Sequence, residues 1–159
     1  MPTPAIDVAV VGDNTIDRFL DEPEIGDLVG GNALNVAVQL SMLGLKVGYF
    51  GAVGTDADAE IVRSAARARG VDISGLVTLD GATALTTIRR TADGDRRFES
   101  EDFGVTLDYF PDRTDLQRIA AARWVHVGML PGSARLGRAI AELSDVSMSQ
   151  DCSVAPAYH

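Results

Sequence analysis

The chain of 159 residues has a single cysteine, Cys152, which excludes an internal disulfide and fits a reducing cytoplasm, the compartment expected for it. No apolar run approaches the ~18 residues that suggest a membrane-spanning helix, so no membrane partner is expected. The opening "MPTPAIDVAVVGDN" has neither a basic stretch before its apolar run nor a small-residue cleavage site, and no signal peptide is read there. Positive charge is scarce. Fourteen Lys and Arg against 23 Asp and Glu leave a formal charge of −9, which argues against nucleic acid, since phosphate backbones demand a basic surface. With His126, His159 and Cys152 as the only such ligands, no zinc site and no other metal site is assigned. A small molecule is the ligand class left.

What the chain does have is 46% apolar and 23% charged residues, the composition of an ordinary globular domain of near-modal length. "AIDVAVVG" (5–12) reads as a buried β-branched strand ending in glycine, and the polar "DNTIDRFLDEPEIGDLVG" as short strands or loop outside the core. Apolar positions 33, 36, 37, 40 and 43 have a helical period, and Gly44 is placed to end that helix. A strand follows from Lys46 to about Gly51. Asp56 is placed to cap the next helix, which ends in Arg67, Arg69 and Gly70 as dipole and C-cap rules favour. Two extended runs flank Asp93-Gly94, a hairpin signal. Asp112 or Thr114 opens a helix to Ala121, "ARWVHVG" is a strand, Ser133–Leu143 a helix, and "VSMSQDCS" a last strand. Alternation of strand and helix favours a parallel sheet covered on both faces.

"LVGGNALNVAVQLSMLG" (28–44) is apolar almost all the way round, as expected of a helix with little exposed face inside such layers. Packing does not account for Gly30, Gly31, Asn32 and Asn35. Glycines ahead of a helix permit φ > 0 and close approach of a ligand, and the helix N-terminus beyond them is expected to offer free N–H groups. "GAVGTD" (51–56) lacks the Lys-Ser/Thr of a phosphate loop, and "VVGDN" is not a dinucleotide fingerprint.

Gly30-Gly31, then Ala33, Asn35 and Ala37 at alternate positions, then Gly44 and Gly54, resembles the N-terminal signature of the ribokinase-like (PfkB) carbohydrate kinases. The resemblance runs from about Ala5 to Asp151; "GDNTID" and "GGNALN" are most similar to the fructoselysine 6-kinase branch, and the aromatic-acidic "FESEDFGV" (98–105) points the same way. Fructokinase, ribokinase and nucleoside kinase readings stay open. The resemblance implies an α/β three-layer sandwich with a mainly parallel sheet and a small β lid. Residues 1–159 would form the N-terminal part of one kinase domain, with lid segments at about 15–30 and 83–104. It implies a sugar held by Asp17, Gly30, Gly31 and Asn35, with Asp13 and Asn14 as further contacts, and a homodimer through the lid, as in many members. Asn32 stands where small or basic residues are common. Arg89, Arg90, Arg96 and Arg97 read as a solvated hairpin, with phosphate contact as the alternative.

ATP and Mg²⁺ are implied by the same resemblance. The family's base and anion hole lie in a Gly-Ala-Gly-Asp segment, which residues 1–159 do not contain, so no catalytic residue is assigned. The expectation is an intact kinase for which this chain supplies the sugar-binding half, the chain alone being inactive. The rivals are a non-catalytic sugar-binding or interaction module and a generic nucleotide-binding α/β domain.

Overall fold

The strand of highest β-branched content becomes the centre of the molecule. The computed structural model of the protein describes residues 6–128 and 132–151; Ala5, Cys152 and the end of "VSMSQDCS" fall outside them. β1 (Val8–Val11) is buried throughout. It lies between β4 (Val47–Val53) and β8 (Trp124–Val127), with β5 (Asp72–Thr78) beyond β4 and β9 (Ser147–Gln150) beyond β8. All four pairings are parallel. A parallel sheet needs cover on both faces, and side-chain alternation along β1 meets two separate cores. Val8 and Val10 pack with α1 (Asn32–Met42) and α2 (Asp58–Ala68). Ala9 and Val11 pack on the other side with α3 (Arg113–Ala120) and α4 (Ser133–Ala141). The result is the expected α/β sandwich of three layers.

The polar insert is ordered. β2 (Thr15–Phe19) and β3 (Leu28–Gly30), joined through a 3-10 turn at Pro23–Ile25, combine with β6 (Leu85–Arg90) and β7 (Arg96–Asp102) into a second sheet of order β3-β2-β6-β7. β2 runs parallel to β6, and the other two pairings are antiparallel. The β6–β7 hairpin turns at Gly94, with φ +87°.

Two differences from the sequence reading have physical causes. β5 was not anticipated, because "DISGLVT" carries a glycine in its interior, which normally weakens a strand. Gly75 is needed there because a Cβ would lie 2.3 Å from the Phe50 ring of β4. α1 begins at Asn32, and its apolar circumference is not enclosed: Ala33, Leu34 and Ala37 are its buried residues, while Met42 is 60% and Leu43 78% exposed. Val36, Val38 and Leu40 are half-covered, and the apolar C-terminal turn is left exposed. Of the two candidate caps of α3, Asp112 serves, accepting the Asp115 N–H at 2.8 Å.

Asp56 does more than open α2. Its Oδ1 accepts the Ala59 N–H (3.2 Å) and the Thr83 hydroxyl (2.6 Å), and its Oδ2 accepts the Thr83 N–H (2.7 Å). Thr83 Oγ1 in turn accepts the Gly54 N–H at 2.9 Å. "GAVGTD" is thus a clasp that ties the end of β4 and the start of α2 to the entry of β6. Burial pushes the Asp56 pKa up, but the Thr83 and Ala59 donors outweigh it and hold the carboxyl below the usual aspartate value. A depressed folded pKa stabilises the fold above the unfolded value, near 3.9, and that stabilisation is lost as pH falls through the folded value. Asp56→Ala is therefore expected to cost about 1 kcal/mol at pH 7 in urea unfolding, a difference that shrinks as the pH is lowered through the folded value.

Candidate functional site

The carboxyl end of β1 meets the amino end of α1 through one side chain. Asp13 Oδ2 accepts the Asn32 N–H at 2.7 Å and Oδ1 the Ala33 N–H at 3.0 Å, while the Asp13 carbonyl accepts the Leu34 N–H at 3.2 Å. The expectation of free N–H groups at this helix mouth is therefore corrected: the first turn is capped from within by Asp13. Burial raises the Asp13 pKa against the lowering effect of these N–H donors. Small residues make the approach feasible. A Cβ at Gly31 would stand 2.5 Å from Asn14 Cα, and one at Gly128 3.0 Å from Asp13 Oδ1. Gly31 also has φ +103°, a region that side chains rarely enter.

Asn14 is 1% exposed. Its amide donates to the Ala52 carbonyl (2.8 Å) and to Tyr49 Oη (3.2 Å), and Tyr49 donates to the Gly12 carbonyl at 2.8 Å. The Ala52 carbonyl fixes the amide orientation, because a flipped Asn would set oxygen against oxygen. Asn14 Oδ1 is buried and has no hydrogen-bond partner among the described residues. Burial drives the Tyr49 hydroxyl well above its ordinary pKa, so it stays a neutral donor. Gly51 leaves room for it, since a Cβ there would lie 2.8 Å from the Tyr49 oxygen.

Alternation along β2 turns Asp17 toward Gly30, where an added Cβ would lie 2.9 Å from Asp17 Oδ2. Arg18, one residue on, reaches the other way to Asp27 (2.6 and 2.8 Å) and to Asp58 of α2 (3.1 and 3.2 Å). That network ties the second sheet to α2. Asp17 is half-buried; burial raises its pKa, Arg96 lowers it and Glu101 raises it again.

The structure thus brings Asp17 to Gly30, and Asp13 and Asn14 to Gly31. Asn35 is joined to Gly31 through its backbone N–H (2.9 Å), while its exposed side chain lines a cleft of about 490 Å³ with Asp27, Leu28, Gln39 and Arg69. Among the described residues no hydrogen bond joins it to Asp17. The hairpin arginines are mostly paired: Arg89 with Asp21 and Glu99, Arg90 with Glu22 (3.0 Å) and Arg97 with Glu99 (3.5 Å). Arg96 lies over the Phe19 ring, 5.7 Å from its centroid. His126 sits in β8 with Nδ1 3.0 Å from Ser149 Oγ; burial lowers its pKa despite Asp151 and Asp13 nearby. Sequence reading did not single out Tyr49 or Thr86, and it took Glu101 only within the acidic segment "FESEDFGV", without its place opposite Thr86. Tyr49 resembles any core aromatic in a strand, and the other two depend on strand register.

A parallel sheet with helices on both faces, a small sheet rooted in its β1–α1 junction, and a carboxylate over the glycines together define a ribokinase-like α/β fold. A family model described as "pfkB family carbohydrate kinase" matches residues 6–157, and the chain belongs to that family. The fructoselysine 6-kinase of Escherichia coli (strain K12) is 32% identical over 123 residues, 77% of this chain and 46% of that protein. The fructokinase of Salmonella typhimurium is 33% identical over 132 residues, 82% of this chain and 43% of that protein. The chain spans somewhat under half the length of these relatives. Arabidopsis thaliana ribokinase, solved in complex with ribose and ATP, shares the fold with a TM-score of 0.81 at 19% identity, over 94% of this chain and 54% of that one.

Asp13→Ala is expected to cost about 1–2 kcal/mol by removing the cap of α1. Gly31→Ala, which meets both the positive φ and the Asn14 backbone, should cost more than Asp13→Ala. The midpoints of urea unfolding of the two variants check the order.

Proposed function

We propose that this chain forms the sugar-binding part of an ATP-dependent carbohydrate kinase that phosphorylates a hydroxyl of a sugar or of a sugar–amine adduct such as fructoselysine. The observation that carries this reading is the half-buried Asp17 carboxylate held against Gly30, beside the glycine-opened first turn of α1. An ionised carboxylate accepts two hydroxyl hydrogens, and an asparagine amide both donates and accepts. Asp17, Asn35 and the Gly30-Gly31 backbone are assigned direct contact with the sugar. Asp13 and Asn14, whose bonds run inward, are assigned to hold the turn that presents it. The small sheet serves as a lid that keeps water from the reacting centre. The kinase names of the two relatives and the ribose- and ATP-bound ribokinase of the same fold support this reading.

We place the base outside residues 1–159, in a Gly-Ala-Gly-Asp segment of the kind the family resemblance implies. Among the described residues no group of three or more His, Cys, Asp or Glu could hold a metal ion, and the N–H groups of the α1 mouth are already taken by Asp13. Neither Mg²⁺ nor the nucleotide phosphates are assigned to the described residues of this chain.

Calorimetry with fructose, ribose, adenosine and fructoselysine tests the pocket. Asp17→Ala and Asn35→Ala are each expected to weaken binding of the preferred sugar at least tenfold, and unchanged affinity in both would sink the assignment. Because the Asp17 pKa is raised, binding should begin to weaken at a pH above the range of an ordinary aspartate as the carboxylate takes up its proton. Turnover of ATP with any sugar by purified residues 1–159 would overturn the placement of the base.

A further inference from the structure

Three residues of the small sheet share one cross-strand row. Asp17 is in register with Thr86 of β6, and Thr86 with Glu101 of β7. Paired residues stand on the same face of a sheet, about 4.8 Å apart per strand, so Asp17 and Glu101 flank Thr86 at roughly 10 Å between backbones. Side-chain contacts agree with that placement. Thr15, two residues before Asp17, meets Thr86 with 3.1 Å between hydroxyl oxygens, whereas Thr87 and Ser100 meet at 2.6 Å as the adjacent pair, whose side chains alternate to the opposite face.

We propose that Glu101 is a specificity-determining residue of the sugar site, the counter-ion for a protonated amine carried by a sugar whose hydroxyls are held at Asp17. This rests on the sugar-kinase reading above. A neutral sugar needs one carboxylate here; the second, Glu101 in the same row, raises the Asp17 pKa, although by less than Arg96 lowers it. A cation seated between the two relieves that repulsion. Among the described residues Glu101 makes no ion pair and is exposed, whereas its neighbour Glu99 is engaged by Arg89 and Arg97. The other charged groups on this face lie at its far end: Arg90, tied to Glu22, and Arg96 both stand over the Phe19 ring, at 5.8 and 5.7 Å from its centroid. They repel an ammonium from that end and leave the Glu101 side of the row as its seat. The next row, Phe19, Ile88 and Phe98, is apolar, and Phe98 is 60% exposed, a surface suited to an alkyl arm on the amine.

The test compares fructose with fructoselysine, which adds a secondary ammonium and an alkyl arm, by calorimetry on the full chain. Wild type is expected to prefer the adduct. Glu101→Gln should weaken the adduct about fivefold, the scale of an exposed ion pair, and leave fructose unchanged. Added salt should erase the difference between wild type and variant. Glu99→Gln, which removes a charge of the same strand already paired to arginine, should change neither ligand. If Glu101→Gln alters both ligands alike, or neither, the assignment of Glu101 is overturned while the sugar site stands. If folded wild type binds neither ligand, the sugar-binding reading falls and this inference with it.

Discussion

The Asp13 carboxylate joins the end of the central strand to the start of the first helix, and the rest of the site is arranged around that joint. Three glycines and an alanine converge on it: Cβ atoms placed at Gly12 and Gly128 would each come 2.6 Å from the Ala33 Cβ, and one at Gly31 would run into Asn14. Tyr49 and Asn14 brace the same turn from beneath. Small residues are therefore required on every side of the carboxylate, because the helix can approach the sheet closely enough for two N–H···O bonds only if nothing bulkier intervenes. The position of Gly30, and through it the relation of Asp17 to the helix, follows from this one contact.

A second consequence concerns which polar groups remain for a ligand. Capping of α1 by Asp13 removes the helix mouth as an anion site, although its glycines look like one. The acceptor in this part of the molecule is Asp17, and its surroundings are balanced: burial and Glu101 favour the neutral acid, and Arg96 favours the charge. The acidic excess of the whole chain is partly taken up on the hairpin, where Arg89, Arg90 and Arg97 each meet a carboxylate.

Much of the architecture was legible because burial demands show in side-chain type. "VAVV" has to be a buried strand, and the alternation of such strands with capped helices has to be a parallel layer fold. The Gly-Gly/Asn spacing was legible because part of it marks backbone that other residues rarely adopt, as at Gly31 and Gly44 with φ of +103° and +89°. Less legible were features set by contacts distant in sequence. Gly75 reads as a strand breaker until Phe50 is seen against it. Asp13 reads as a ligand until the helix amides are seen on it. Glu101 was hidden by a bulge. Counting outward from the Gly94 turn pairs Arg90 with Arg96 and Ile88 with Phe98, and an unbroken count would set Thr86 opposite Ser100. The register shift between Thr87 and Ile88 places Glu101 there instead, and a one-residue shift changes the face on which a side chain stands.

The parallel pairing of β2 with β6 joins Asp17 to Thr86, residues on either side of α1, β4, α2 and β5. The two halves of the small sheet are thus brought together only by the chain segment that builds half of the main sheet. Closing so long a loop costs entropy that no local contact offsets, so pairing of β2 with β6 belongs late in folding, after β4 has found β1. The small sheet cannot be excised or transplanted as a contiguous module. Its assembly waits instead on the β1-β4-β5 side of the layer beneath it, since β8 and β9 follow β7 in the chain, and a cotranslational intermediate ending before Leu85 would display β2 with one neighbour missing.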